Sequence, residues 1–76
     1  MEIKVYSTPT CPYCKMVKDH LSSKGVNYQN FDVSKDKAAL EEMVKLSGQM
    51  GVPVTVINGE VIVGFDKNRI DSLLST

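Results

Sequence analysis

Cys11-Pro12-Tyr13-Cys14 is the stretch that most constrains what this chain can become. It holds both cysteines of the protein. Before it lies the apolar run Ile3-Lys4-Val5-Tyr6, and after it a segment of helical periodicity with Val17 and Leu21 on one stripe. A strand therefore delivers the pair and a helix carries it away. Residues i and i+3 of a helix share a face, with Cβ atoms roughly 5–6 Å apart. A disulfide needs about 3.5–4.5 Å, so a small local adjustment opens or closes the bond. Pro12 fits the first helical turn, where its missing N–H is not needed.

Position also separates the two sulfurs. Cys11 sits among the unpaired amide N–H groups of a helix start, and those dipoles favour a thiolate. Cys14 lies one turn further in, at the head of the Val17–Leu21 stripe, and is expected to be buried and to act as the resolving thiol. Lys15 and Lys18 add positive charge nearby. A structural disulfide closing so short a loop gains little loop entropy. A zinc site needs two more ligands, and the chain offers one histidine, His20. Inert core thiols do not usually bracket Pro-Tyr at a strand-to-helix junction. The redox reading of the pair is therefore favoured.

Seventy-six residues suggest a single domain, spanning 1–76, near the size at which one core is only marginally sufficient. Nine acidic and nine basic residues balance, which gives no basic excess for nucleic acid. The start, Met1-Glu2-Ile3-Lys4, has no apolar signal region, and no run approaches membrane-spanning length. A cytoplasmic protein is expected, in a compartment where disulfides are transient or catalytic.

The remaining chain reads as alternating elements. Ile3 to Ser7 forms a first strand, and Pro12 to Lys24 a helix with Gly25 as a left-handed cap. Val26 to Val33 is expected as a second strand, parallel to the first by a right-handed crossover. Ser34 or Asp36 caps a second helix reaching Ser47, with Leu40, Met43, Val44 and Ser47 inward. Gln49-Met50-Gly51 is a lead-in to Val52-Pro53. Val54–Ile57 and Glu60–Val63 flank Asn58-Gly59, a strong signal for a type I′ hairpin. Asp66 caps a last helix with Ile70, Leu73 and Leu74 buried. The order β-α-β-α-β-β-α makes an α/β fold with one four-stranded mixed sheet. His20 is expected as an exposed helix residue, and Tyr6 and Tyr28 as strand residues with wet hydroxyls.

The chain resembles the glutaredoxins of the thioredoxin superfamily over essentially its whole length. The resemblance rests on Cys11-Pro12-Tyr13-Cys14 after the first strand, Gly51-Val52-Pro53 before the third, and Gly64-Phe65-Asp66 before the last helix. It implies a thioredoxin fold, sheet order 2-1-3-4 with three flanking helices, and a cis peptide before Pro53. It also implies glutathione-linked reduction of protein disulfides and glutathionylated proteins by a monomer, with no tightly bound cofactor or metal. By that resemblance Cys11 is the nucleophile and Cys14 the resolving thiol. Val52 pairs its backbone with the cysteinyl part of glutathione beside Pro53. Phe65 and Asp66 hold the γ-glutamyl end, Gly64 belongs to the same glutathione-binding set, and Tyr13 and Gln49 face the glycyl end.

The sequence departs from the family at three places. Thr8 stands where many glutaredoxins have lysine, Gly51 where threonine is usual, and Val63-Gly64 where Gly-Gly is usual. The Gly-Phe segment also resembles glutaredoxin-like hydrogen donors recharged by thioredoxin reductase. That reductase is thus an alternative partner to glutathione. Two readings of other classes stay open at this point: an iron–sulfur module bridged through Cys11, and a redox-inert binding module.

Overall fold

The computed structural model describes residues 2–74. Its elements run β1 (Ile3–Ser7), α1 (Pro12–Ser23), β2 (Gln29–Asp32), α2 (Lys37–Ser47), β3 (Val54–Ile57), β4 (Glu60–Val63) and α3 (Lys67–Leu74). The four strands form one sheet in the order β2-β1-β3-β4. β1 pairs parallel with β2 and antiparallel with β3, and β3 with β4 form the hairpin. This is the mixed sheet that the order of elements predicts, arranged as the thioredoxin fold that the resemblance implies.

Strand alternation divides the apolar residues between two faces. Ile3, Val5, Ile57 and Ile62 face α1 and α3, where they pack with Val17, Leu21 and Ile70. Tyr6 and Val54 face the other way and pack with Val33, Ala39 and Met43 beneath α2. β1 is thus central and covered on both sides, which fits its lack of polar alternation. The Asn58-Gly59 turn has φ of 51° and 87°, the two positive values that a type I′ turn requires.

Some boundaries and environments differ from the sequence reading. β2 spans Gln29–Asp32 and not Val26–Val33. Its length is set by β1, whose pairing begins at Lys4 opposite Gln29. Val26 instead closes the end of α1, its N–H reaching the Leu21 carbonyl at 3.5 Å. α1 ends at Ser23, with Lys24 as its cap. Asp36, not Ser34, caps α2, accepting from the Ala39 N–H at 3.1 Å. Ala39 takes the fully inward place where Ser47 was expected, while Ser47 turns its hydroxyl to the Met43 carbonyl at 2.7 Å. Tyr6 is not wet: it is buried, stacks on Phe31 at 5.2 Å, and donates to Glu42 at 2.9 Å. Among the described residues no helix is long and apolar enough to cross a membrane.

Candidate active site

β1 ends at Ser7, and three residues bring the chain to Cys11 at the N-cap of α1. Cys11 has extended backbone angles (φ −93°, ψ 113°), and its sulfur accepts the Cys14 N–H at 3.2 Å. A capping oxygen of Ser or Asp would normally take that amide. Here a thiol does so, which ties the sulfur to the helix start by a bond that grows stronger when it carries charge. Cys11 is half-buried, and Cys14, on the inner face of α1, is fully buried. Both are free thiols.

Burial, then the hydrogen bond to Cys11, pushes the Cys14 thiol up to about 11, against a smaller pull from the Thr8 backbone and the Lys18 charge. Cys14 is thus a protonated reserve at neutral pH. Cys11 faces the opposite loop, its sulfur 3.9 Å from the Val52 carbonyl oxygen. The Val52–Pro53 peptide is cis, and Pro53 is buried.

Beyond Pro53 the backbone continues the site. The Gly64 N–H donates to the Pro53 carbonyl at 2.9 Å, joining the end of the hairpin to the cis-proline loop. Gly64 has φ of 78°, which favours glycine at that turn. Asp66 then caps α3 by accepting the Arg69 N–H at 3.2 Å. Phe65 between them is half-buried against the α1–α3 core. Tyr13 stands out from the surface, 61% exposed, beside the dithiol.

Cys11 therefore meets both Cys14 and Val52, the residue before Pro53, and Gly64-Phe65-Asp66 is joined to that loop through the Pro53 carbonyl. Gln49 is placed differently. Its carboxamide folds back on Gly51, accepting the Gly51 N–H at 2.8 Å and donating to the Gly51 carbonyl at 3.2 Å. A Cβ on Gly51 would meet the Gln49 Oε1 at 2.5 Å, so the clasp requires glycine there while the amide stays in place.

His20 is a residue whose role the sequence reading missed. It was expected exposed, yet its side chain is only 11% exposed and its Nε2 lies 2.6 Å from Asp71 Oδ1. Its one local signal is a place beside the Val17–Leu21 stripe. Among the described residues, no three His, Cys, Asp or Glu side chains group as metal ligands would.

The family model named Glutaredoxin matches residues 3–62. The chain is 51% identical to a glutaredoxin-like 8.6 kDa protein of the rubredoxin operon of Clostridium pasteurianum, over 95% of this chain and 96% of that one. It is 42% identical to glutaredoxin 3 of Escherichia coli, over 84% of this chain and 77% of that one. Among solved structures, the T8A mutant of the thioredoxin-like protein BC3987 superposes with a TM-score of 0.92 at 39% identity, over 97% of this chain and 95% of the other. Buckwheat glutaredoxin in its glutathione complex superposes with a TM-score of 0.78 at 28% identity, over 96% and 73%.

Proposed function

The chain belongs to the glutaredoxin family of thiol–disulfide oxidoreductases, and from that premise we propose that it reduces protein disulfides and glutathionylated thiols with electrons from glutathione. It works as one domain in a reducing compartment such as the cytoplasm. The observation that carries the reading is the pairing of unlike thiols at one helix start. Cys11 is half-buried and capped by an amide, and Cys14 is buried and held protonated.

The Cys11 thiolate attacks one sulfur of the substrate disulfide. A mixed disulfide forms, the substrate S–S bond breaks, and the other sulfur leaves as a thiolate. Cys14 then gives up its proton, attacks Cys11 Sγ, and releases the second substrate thiol. The dithiol has passed two electrons to the substrate and become a disulfide. One glutathione reopens it as a mixed disulfide on Cys11. A second glutathione removes the first, leaving oxidised glutathione and the dithiol.

The cis-proline loop and the start of α3 supply the matching groove. The extended backbone before Pro53 suits strand-like pairing with a tripeptide. The Asp66 carboxylate suits an ammonium, and the N–H groups at the α3 start suit a carboxylate. The relative crystallised with glutathione supports the same choice.

A second reading is recharging by thioredoxin reductase. It is favoured at the glycyl end, where Thr8 offers no charge and the Gln49 carboxamide is committed to Gly51. Turnover of a glutathionylated peptide with glutathione and glutathione reductase, set against turnover with thioredoxin reductase, separates the two. The glutathione reading expects saturation with glutathione. It also expects Asp66→Asn, which keeps the cap but loses the charge, to raise the KM for glutathione about 5-fold, roughly 1 kcal/mol, with kcat nearly unchanged. Turnover with thioredoxin reductase alone would put the second reading first.

A further inference from the structure

The partly buried joint between α1 and α3 holds side chains that the reaction leaves unused. His20 lies in the last turn of α1, the helix whose first turn holds the dithiol. Its Nε2 meets Asp71 Oδ1 of α3 at 2.6 Å, while its ring sets an edge against Phe65, with centroids 6.0 Å apart and planes at 77°. Aromatic edges prefer this geometry, and it constrains the orientation of both rings. Lys24 and Lys67 also approach the Asp71 carboxylate, each at 3.8 Å, but both are far more exposed than His20.

Phe65 is the middle of the segment Gly64-Phe65-Asp66. That segment is fixed behind by the Gly64–Pro53 backbone bond and ahead by the Asp66 cap on α3. Towards α1 its side chain packs on the apolar core that holds Val17 and Leu21, and its ring also meets the His20 ring edge-on. The same imidazole therefore holds α3 through Asp71 and the residue before the α3 cap through Phe65. It does so from the helix that carries both reactive sulfurs.

We propose that His20 is a positioning residue that sets the affinity for the thiol co-substrate. With Asp71 it fixes Phe65 and the start of α3 relative to the dithiol. This rests on the glutathione reading above, in which that segment takes the amino-acid end of the tripeptide. His20 acts through Phe65 and Asp71. The expected signature is therefore a change in KM for glutathione with kcat and the Cys11 thiol chemistry left alone.

The test uses the full chain with a glutathionylated peptide, glutathione and glutathione reductase. His20→Leu and Asp71→Leu should each raise the KM for glutathione about 5- to 10-fold. The kcat should stay within about 2-fold, as should the rate of Cys11 alkylation by iodoacetamide at pH 7. Asp71→Asn keeps an oxygen to accept from His20 and should restore KM to within about 2-fold of the parent. In the free protein, amide exchange at Phe65 and Asp66 should quicken in the leucine variants and not in Asp71→Asn.

Unchanged KM in the leucine variants overturns the inference. So does a KM in Asp71→Asn as high as in Asp71→Leu. A fall in kcat together with slowed Cys11 alkylation overturns it too, because the defect would then be in the dithiol helix. If His20→Leu does not fold, the Asp71→Leu and Asp71→Asn pair gives the same decision. A parent protein that glutathione does not saturate removes the co-substrate reading itself, which is a different result from a saturable parent with indifferent variants.

Discussion

At the scale of single residues, the candidate site holds two identical functional groups in unlike surroundings. The Cys11 sulfur is half-buried and receives an N–H, whereas Cys14 is fully buried on the inner face of α1. Burial is the largest cause that pushes Cys14 up to about 11, so the contrast survives removal of Cys11 itself. Thiolates, not thiols, react with alkylating agents. In Cys11→Ser, the remaining Cys14 should therefore be alkylated by iodoacetamide at pH 7 at least about 10-fold more slowly than a free cysteine. Its rate should climb only above about pH 9, as the thiol begins to ionise. In Cys14→Ser, the half-buried Cys11 should be alkylated much faster at pH 7. Equal rates in the two variants would mean that the sulfurs are not differentiated, and the assignment of attacking and resolving roles would fall. The pair could be read from sequence because the helix start and the apolar stripe are both local to it. The His20–Asp71 bond could not, because its partners lie 51 residues apart. The same holds for Tyr6 and Glu42, which lie 36 apart.

At the scale of elements, β3 carries a cost that points to an easy improvement. Thr55 stands between Val5 of β1 and Ile62 of β4, on the face that packs against α1 and α3. It is fully buried, and its Oγ1 has no hydrogen-bond partner among the described residues. A buried hydroxyl left unpaired costs about 1–3 kcal/mol, and valine has nearly the same shape without it. Thr55→Val should raise stability by about 1 kcal/mol in urea unfolding, with the slope unchanged. A loss of stability would show that the hydroxyl has a native partner. β3 itself was legible from sequence, since Val54–Ile57 and Glu60–Val63 flank a dipeptide that nearly dictates its turn. The α2 ends were legible for the same reason: Asp36 accepts an N-terminal amide, and Gly48 takes φ of 74°. β2 was read too long because its ends are fixed by β1, a strand some twenty-five residues earlier, and not by its own apolar residues. The Gln49–Gly51 clasp is local, yet it depends on one amide rotamer that no periodicity marks.

At the scale of the whole molecule, two weak acids are buried, one on α1 and one on β1, and their ionisation couples the fold to pH. Cys14 lies on the buried face of α1, raised to about 11 mainly by burial from an ordinary value near 9. Tyr6 lies under α2, raised to about 12 by burial and then by its hydrogen bond to Glu42, from an ordinary value near 10. In both cases the folded chain keeps its proton at a pH where the unfolded chain has lost it. The unfolded state then binds fewer protons, so stability falls as pH rises. The contribution is fully present below about pH 9. It is lost through roughly 9–11 for Cys14 and 10–12 for Tyr6, with a slope no steeper than about 1.4 kcal/mol per pH unit for each group. The urea midpoint of the reduced protein should show no loss from these groups between pH 6 and 8 and should decline from about pH 9. Tyr6→Phe should flatten the upper part of that decline and leave the lower part. Oxidation of the dithiol consumes the Cys14 thiol and should remove the lower part while keeping the upper. The oxidised chain should therefore gain on the reduced chain between about pH 9 and 11, beyond whatever advantage the disulfide gives at neutral pH. A constant difference between the two forms across that range would mean that Cys14 does not carry the linkage.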